Sequence, residues 1–210
     1  PLPPSSLIRS YTMGLGPFSD LTSEQYKAGL STFNRTSPRS ETWLPVASAD
    51  AVDWRAKGAV TPVKNQGQCG SCWSFSTTGS TEGAWQIAGN ALTAFSEQQL
   101  MDCSTAEGDH SCQGGLMDFA FKYIIANGGI DTETDYPYME KNEACNTAKE
   151  ANKVGAITGF TDVPQNSEAQ LAAAVAKGPV SVAIEADQAG FQHYTSGTFS
   201  GPCGTQLDHG

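Results

Sequence analysis

The chain has 210 residues, of which 39% are hydrophobic and 16% charged, enough apolar content for a real core and too much for a highly charged disordered segment. Twelve Lys and Arg stand against 22 Asp and Glu, a formal net charge of -10, which argues against nucleic acid as a partner because phosphate contacts need clustered cations. No uninterrupted apolar run approaches the roughly 18 to 20 residues that cross a bilayer, so no transmembrane helix is expected.

Residues 1 to 48 are rich in Ser, Thr and Pro, as in Pro3-Pro4-Ser5-Ser6 and Arg35-Thr36-Ser37-Pro38-Arg39-Ser40. They read as an extended segment without a core of its own. Within it, Thr22 to Gln25 has the form of a helix start, with Thr22 as N-cap and Gln25 as its capping-box partner. Asn34-Arg35-Thr36 is a sequon, which makes Asn34 a candidate glycosylation site in a secretory protein. The chain opens at Pro1 without a signal-peptide pattern and stops at Leu207-Asp208-His209-Gly210 in mid-pattern, so a fragment at both ends is expected.

From Val52 onward the composition turns globular. The pattern predicts a helix over Ser71 to Gly89, with inward Trp73, Ser74, Phe75, Thr77, Ala84, Ile87 and Ala88. A capping box at Ser96-Glu97-Gln98-Gln99 opens a second helix with Leu100 and Met101 inward. Leu116 to Asn127 makes a third, with Leu116, Phe119, Ala120, Tyr123 and Ile124 on one face and Gly128 as C-cap. Ser167 to Gln170 caps a fourth, which runs through Leu171 and Val175 and stops at Gly178-Pro179. Val180, Val182 and Ile184 then alternate with Ser181, Ala183 and Glu185 as a strand would. Helices first and strands later predict an α+β fold with a helical lobe and a sheet lobe.

The six cysteines are Cys69, Cys72, Cys103, Cys112, Cys145 and Cys203. That number in a short chain fits either disulfides in an oxidising compartment or a metal site. The one close pair, Cys69-x-x-Cys72, lacks a second ligand pair for zinc, and no metal or cofactor is expected. A thiol-disulfide exchange role for Cys69 and Cys72 stays open at this point. Cys72 falls in the first turn of the predicted helix, where the positive end of the macrodipole favours the thiolate. Gln66, six residues upstream, together with the Cys72 N–H, offers two donors to an oxyanion.

The run Gln66-Gly67-Gln68-Cys69-Gly70-Ser71-Cys72-Trp73-Ser74-Phe75 resembles the signature of papain-like cysteine proteases. His209 follows Cys72 by 137 residues (209 − 72), within the family's interval. Cys112-Gln113-Gly114-Gly115-Leu116-Met117-Asp118-Phe119-Ala120 resembles the cathepsin L branch. Tyr136-Pro137-Tyr138, Gly178-Pro179-Val180-Ser181-Val182-Ala183-Ile184 and Gly201-Pro202-Cys203-Gly204 also match family patterns.

The resemblance implies a two-lobed papain-like fold, helical from about 55 to 155 and an incomplete antiparallel β-barrel from 156 to 210, with the site in the cleft between. It implies Cys72 as nucleophile, His209 as base and then acid, and Gln66 as oxyanion donor. Gly114 and Gly115 would pair with substrate backbone. Leu116, Met117, Ala183, Leu207, Asp208 and Gly210 would line the substrate site, where a chiefly apolar wall suits bulky apolar side chains two before the scissile bond. Glu82 is read as a structural carboxylate.

It implies disulfides Cys69–Cys112 and Cys103–Cys145, with the partner of Cys203 and an Asn that orients His209 both beyond residue 210. The piece itself is then expected to be inactive. Residues 1 to 48 resemble the end of an inhibitory propeptide, through Gly14-x-Gly16-x-Phe18-x-Asp20 with Gly16 in place of an Asn. A peptidase domain would occupy 49 to 210, with the maturation cut between Ser40 and Ala49.

The implied protein is a monomeric endopeptidase zymogen in a lysosome, an equivalent acidic vacuole or outside the cell. It would act on proteins and peptides, with its own propeptide and protein inhibitors of cysteine proteases as further partners. A chain-end-trimming peptidase and a non-catalytic disulfide-stapled binding protein are the competing readings. The first would need an insertion closing the cleft, and the second a lost nucleophile.

Overall fold

A computed structural model of the chain describes residues 11–30, 42–45 and 51–210. Asn34 and the 48/49 boundary lie outside these residues. The chain order is β1 (Tyr11–Met13), α1 (Ser23–Ala28), α2 (Cys72–Ile87), α3 (Glu97–Cys103), a 3-10 turn (Ser104–Glu107), α4 (Met117–Asn127), α5 (Thr147–Glu150), α6 (Glu168–Val175), α7 (Ala189–Gln192) and β2 (Tyr194–Gly197).

Helix α2 is rich in Ser and Thr, which favour helices weakly because they compete for backbone bonds. Several turn that tendency inward. Ser74 Oγ donates to the Ser71 carbonyl at 2.8 Å and Thr77 Oγ1 to the Trp73 carbonyl at 2.8 Å, so buried hydroxyls are satisfied within the helix itself. The small side chains let α3 and α4 pack closely on α2 around one core. That core joins Trp73, Phe95, Leu100, Met101, Met117, Ala120, Tyr123, Ile124 and Ile130. Helix α4 ends where the sequence places its cap, at Gly128 with φ 77°, a conformation that costs a glycine nothing.

Four expectations fail in detail. Ala84, Ile87 and Ala88 are exposed, although Thr81, Glu82 and Gly83 in the same turns are buried: this end of α2 meets the core through Trp85, which packs on it. At Ser96 the cap is one-sided: its Oγ accepts from the Gln99 N–H at 2.9 Å. The Gln99 side chain goes instead to the Tyr123 hydroxyl and the Asp131 N–H. The Gln170 side chain likewise leaves its cap, binding both the N–H and the carbonyl of Leu44 at 2.6 and 2.9 Å. The alternating stretch 180–184 forms no named strand; its ladder is one antiparallel bridge, Ile184 to His209. A strand needs a partner along its length, and here the partner reaches one residue.

The sole named sheet among the described residues joins the two ends of the molecule. β1 pairs antiparallel with β2, Tyr11 opposite Gly197 and Thr12 opposite Ser196. Tyr11 packs on Phe199, ring centroids 4.7 Å apart. Helix α1 carries the complete capping box predicted for it: Thr22 Oγ1 accepts from the Gln25 N–H, and Gln25 Oε1 from the Thr22 N–H. Its one buried side chain, Tyr26, packs on Phe18. The buried Gln192 donates to the carbonyls of Phe18 and Leu21, both at 3.0 Å, and Lys27 pairs with Asp187 at 2.8 Å. No described helix is long and apolar enough to cross a membrane.

Candidate active site

The loop from Asn65 to Gly70 turns sharply at Gly67, φ 64°, and delivers Cys72 as the first residue of α2. Cys72 is buried and carries no disulfide. Its sulfur lies where the first-turn N–H groups and the macrodipole stabilise negative charge. The Gly210 N–H reaches Cys72 Sγ at 3.4 Å, so the chain's last segment crosses directly over the thiol. The segment is held there by three backbone bonds to Ile184, from Ile184 N–H to the His209 carbonyl and from the Asp208 and His209 N–H groups back to the Ile184 carbonyl. His209 and Gly210 line one cavity of about 260 Å³ with Cys72, Gln66, Phe75 and Glu82. The Nδ1 of His209 is buried without a hydrogen-bond partner among the described residues.

Gln66 is half-buried, and its Nε2 donates to two carbonyls, Cys69 at 2.9 Å and Gly29 at 3.0 Å. Gly29 is the residue that ends α1, so the amide is occupied by a carbonyl from the N-terminal segment.

Cys69 is bonded to Cys112 and Cys103 to Cys145; Cys72 and Cys203 are in no disulfide. This overturns the thiol-disulfide exchange reading, which needs Cys69 to pair with Cys72. The Cys69–Cys112 bridge pins the Asn65–Gly70 loop beside the Gly114-Gly115 turn, and the Gly70 N–H donates to the Cys112 carbonyl at 3.0 Å. Gly114 takes φ 105°, open to glycine.

The proposed substrate residues divide. Met117, Ala183 and Leu207 line a large open groove with Phe121, Phe160 and Val182. Gly210 stands over Met117, whose sulfur lies 2.9 Å from where a Cβ would be. Leu116 is 3% exposed and lines neither cavity: as N-cap of α4 it is turned into the protein. Asp208 holds the fold, its Oδ1 accepting from the Ala186 N–H at 2.7 Å. The groove is also less apolar than its sequence-predicted lining, since it takes in Asp118, Asp162 and Glu168 as it runs on past the pocket.

One wall of the cavity is a charge cluster that sequence reading did not assemble. Lys64 Nζ sits 2.7 Å from Glu82 and 2.6 Å from Glu97. Glu82 also accepts from Thr61 Oγ1 and the Phe95 N–H, the structural role expected of it. Glu97, bonded also to Thr78, keeps one oxygen unpartnered, and burial pushes its carboxyl up to about 7 because one ammonium cannot balance two desolvated carboxylates. Asp109 is likewise pushed up to about 7 by burial. Lys64, Asp109 and Gly29 carry no local motif; Tyr138 was visible within a family pattern, without a role.

The family model for papain family cysteine proteases matches residues 48–210. The chain belongs to the papain family of cysteine proteases. It is 50% identical over 214 residues to a probable cysteine protease, RD21C, of Arabidopsis thaliana, covering 96% of this chain and 46% of that protein. It is 50% identical over 208 residues to cysteine proteinase 6 of Dictyostelium discoideum, covering 94% and 48%. The chain thus spans just under half the length of these papain-family relatives. Among solved structures, recombinant stem bromelain precursor superposes with a TM-score of 0.80 at 38% identity, covering 96% of this chain and 66% of that one. The proform of the ragweed pollen cysteine protease Amb a 11 gives 0.84 at 35%, covering 97% and 60%. The papain-like α+β fold is therefore shared.

Proposed function

We propose that the protein carrying this chain is a cysteine endopeptidase synthesised with its own inhibitor attached, residues 1 to 48 being the end of that propeptide. One observation carries the reading: Gln66 Nε2, beside the Cys72 thiol at the head of α2, donates at 3.0 Å to a backbone carbonyl of the N-terminal segment. A carbonyl there is where a scissile carbonyl would be needed.

With that segment removed, the Cys72 thiolate adds to the carbonyl carbon of a peptide. The new oxyanion receives hydrogen bonds from Gln66 Nε2 and the Cys72 N–H. His209, as imidazolium, gives its proton to the leaving amine as the C–N bond breaks, leaving an acyl-enzyme. It then takes a proton from the water that hydrolyses the thioester. The His209 ring needs an acceptor on the nitrogen that does not face the thiolate to fix its orientation; the reading assigns that role to an Asn beyond residue 210, without which residues 1–210 alone are inactive. Met117, Ala183 and Leu207 support a preference for bulky apolar side chains two before the cut. Two disulfides support an oxidising route, to an acidic vacuole, a lysosome or the exterior.

The complete protein, freed of its propeptide, is expected to hydrolyse a peptide with Phe or Leu two before the cut at mildly acid pH. Cys72→Ser should abolish that turnover. Hydrolysis that survives the substitution ends the proposal.

A further inference from the structure

Tyr138 stands outside the residues assigned to the site, yet its hydroxyl touches both ends of the turn that carries Gln66 into Cys72. The oxygen lies 2.7 Å from the Gln66 carbonyl and 2.7 Å from Ser71 Oγ. Its ring meets Phe75 of α2 edge-on, centroids 4.8 Å apart, an arrangement aromatic pairs favour.

The directions of these bonds follow from the donors available. A carbonyl only accepts, so Tyr138 gives its single proton to Gln66. The Tyr138 oxygen therefore accepts from Ser71, whose other neighbour, the Cys69 carbonyl, is more distant at 3.4 Å. Ser71 is the N-cap of α2, immediately before Cys72, and makes no side-chain capping bond to the helix. One relay thus runs from Ser71 O–H to Tyr138 O–H to Gln66 C=O. It ties the residue preceding the nucleophile to the residue carrying the oxyanion donor. Burial pushes the Tyr138 hydroxyl up to about 12, so its proton stays in place at any working pH. The Cys69–Cys112 bridge fixes the far end of the loop, while its tip is held by exposed contacts, Gly67 N–H to Asn65 at 2.9 Å and Gln68 N–H to Glu140 at 2.6 Å, which water competes for.

We propose that Tyr138 is a positioning residue for the oxyanion donor: through this relay it sets the Gln66 amide relative to Cys72 Sγ, and so acts on the transition state rather than on substrate affinity. The inference rests on the peptidase reading above. Displacing a catalytic group by about 1 Å can cost up to about 10²-fold in rate, so a loosened amide is expected to show in turnover.

The test compares Tyr138→Phe with wild type in the complete, propeptide-free protein. Phe keeps the ring against Phe75 and removes only the relay. A kcat about tenfold lower is expected, with KM within about twofold. Alkylation of Cys72 by iodoacetamide should keep its rate, because that displacement forms no oxyanion. In a Gln66→Ala background, Tyr138→Phe should lower kcat no further, since the two act through one amide. An unchanged kcat, an equal loss in both backgrounds, or a parallel loss of alkylation overturns the proposal. Should Tyr138→Phe not fold, Ser71→Ala must show a several-fold kcat loss that likewise vanishes without Gln66, or the proposal falls. An inactive wild type overturns the peptidase reading and the proposal with it; an active wild type indifferent to Tyr138→Phe overturns the proposal alone.

Discussion

Gly115 shows how little room single residues have around the thiol. A Cβ there would stand 2.7 Å from the Trp73 ring and press on the Asp109 carboxylate. Neither neighbour can give way easily. Trp73 Nε1 donates to the Ser111 carbonyl at 3.1 Å, and Asp109 accepts from Ser104 Oγ at 2.7 Å and the Leu116 N–H at 2.9 Å. Gly115→Ala is expected to destabilise by about 1–3 kcal/mol, the range for overpacking, read as a lower urea midpoint at unchanged slope. KM should rise alongside, because the Gly114-Gly115 backbone is the proposed substrate edge. An unshifted midpoint would mean that the loop relaxes freely, contrary to its bonds.

At the level of elements, the N-terminal segment matters more than its size suggests. Helix α1 has six residues, too few to be stable in isolation. Its capping box, its Tyr26 contact and the Gln192 and Lys27 bonds are what let it present Gly29 to Gln66. Losing an N-cap costs about 1 kcal/mol, which corresponds to about a fivefold change in an equilibrium constant. A peptide spanning residues 11–30, added to the propeptide-free protein, is therefore expected to inhibit. The same peptide with Thr22→Ala should need about fivefold more for half inhibition. Equal potency of the two peptides would show that α1 does not form on binding.

Across the whole molecule, buried carboxylates set the response to pH. Burial raises Glu97 from 4.5 to about 7 and Asp109 from 3.8 to about 7. Between those limits the folded protein holds protons that the unfolded chain has released, so stability falls as pH rises. The contribution is complete below about pH 4 and is lost as pH climbs through 7. The melting temperature is expected to be higher at pH 5 than at pH 8, and Asp109→Asn should shrink the difference by removing one titrating group. A melting temperature that climbs from pH 5 to pH 8 would contradict this. Such a fold is suited to the acid compartment proposed for it.

Helix starts and stops were legible because they are written in neighbouring residues. Thr22, Ser96, Ser167 and Gly128 each act within one turn of where they stand, and the place of Cys72 at the head of α2 needs nothing further away than Gly67. What lies across the molecule was not legible in the same way. The stretch 180–184 has a strand's alternation, but whether a ladder forms depends on what comes alongside. Leu116 sits beside two glycines of the cleft, yet only the packing of α4 turns it inward. The meeting of Gly210 with Cys72, the carbonyl of Gly29 on Gln66, and the single hydroxyl by which Tyr138 holds both ends of the 66–71 turn all join residues far apart in the chain. Side-chain type determined which groups could do chemistry; the tertiary structure alone decided which of them meet, because contacts over long loops are set by the packing of whole elements and not by any local pattern.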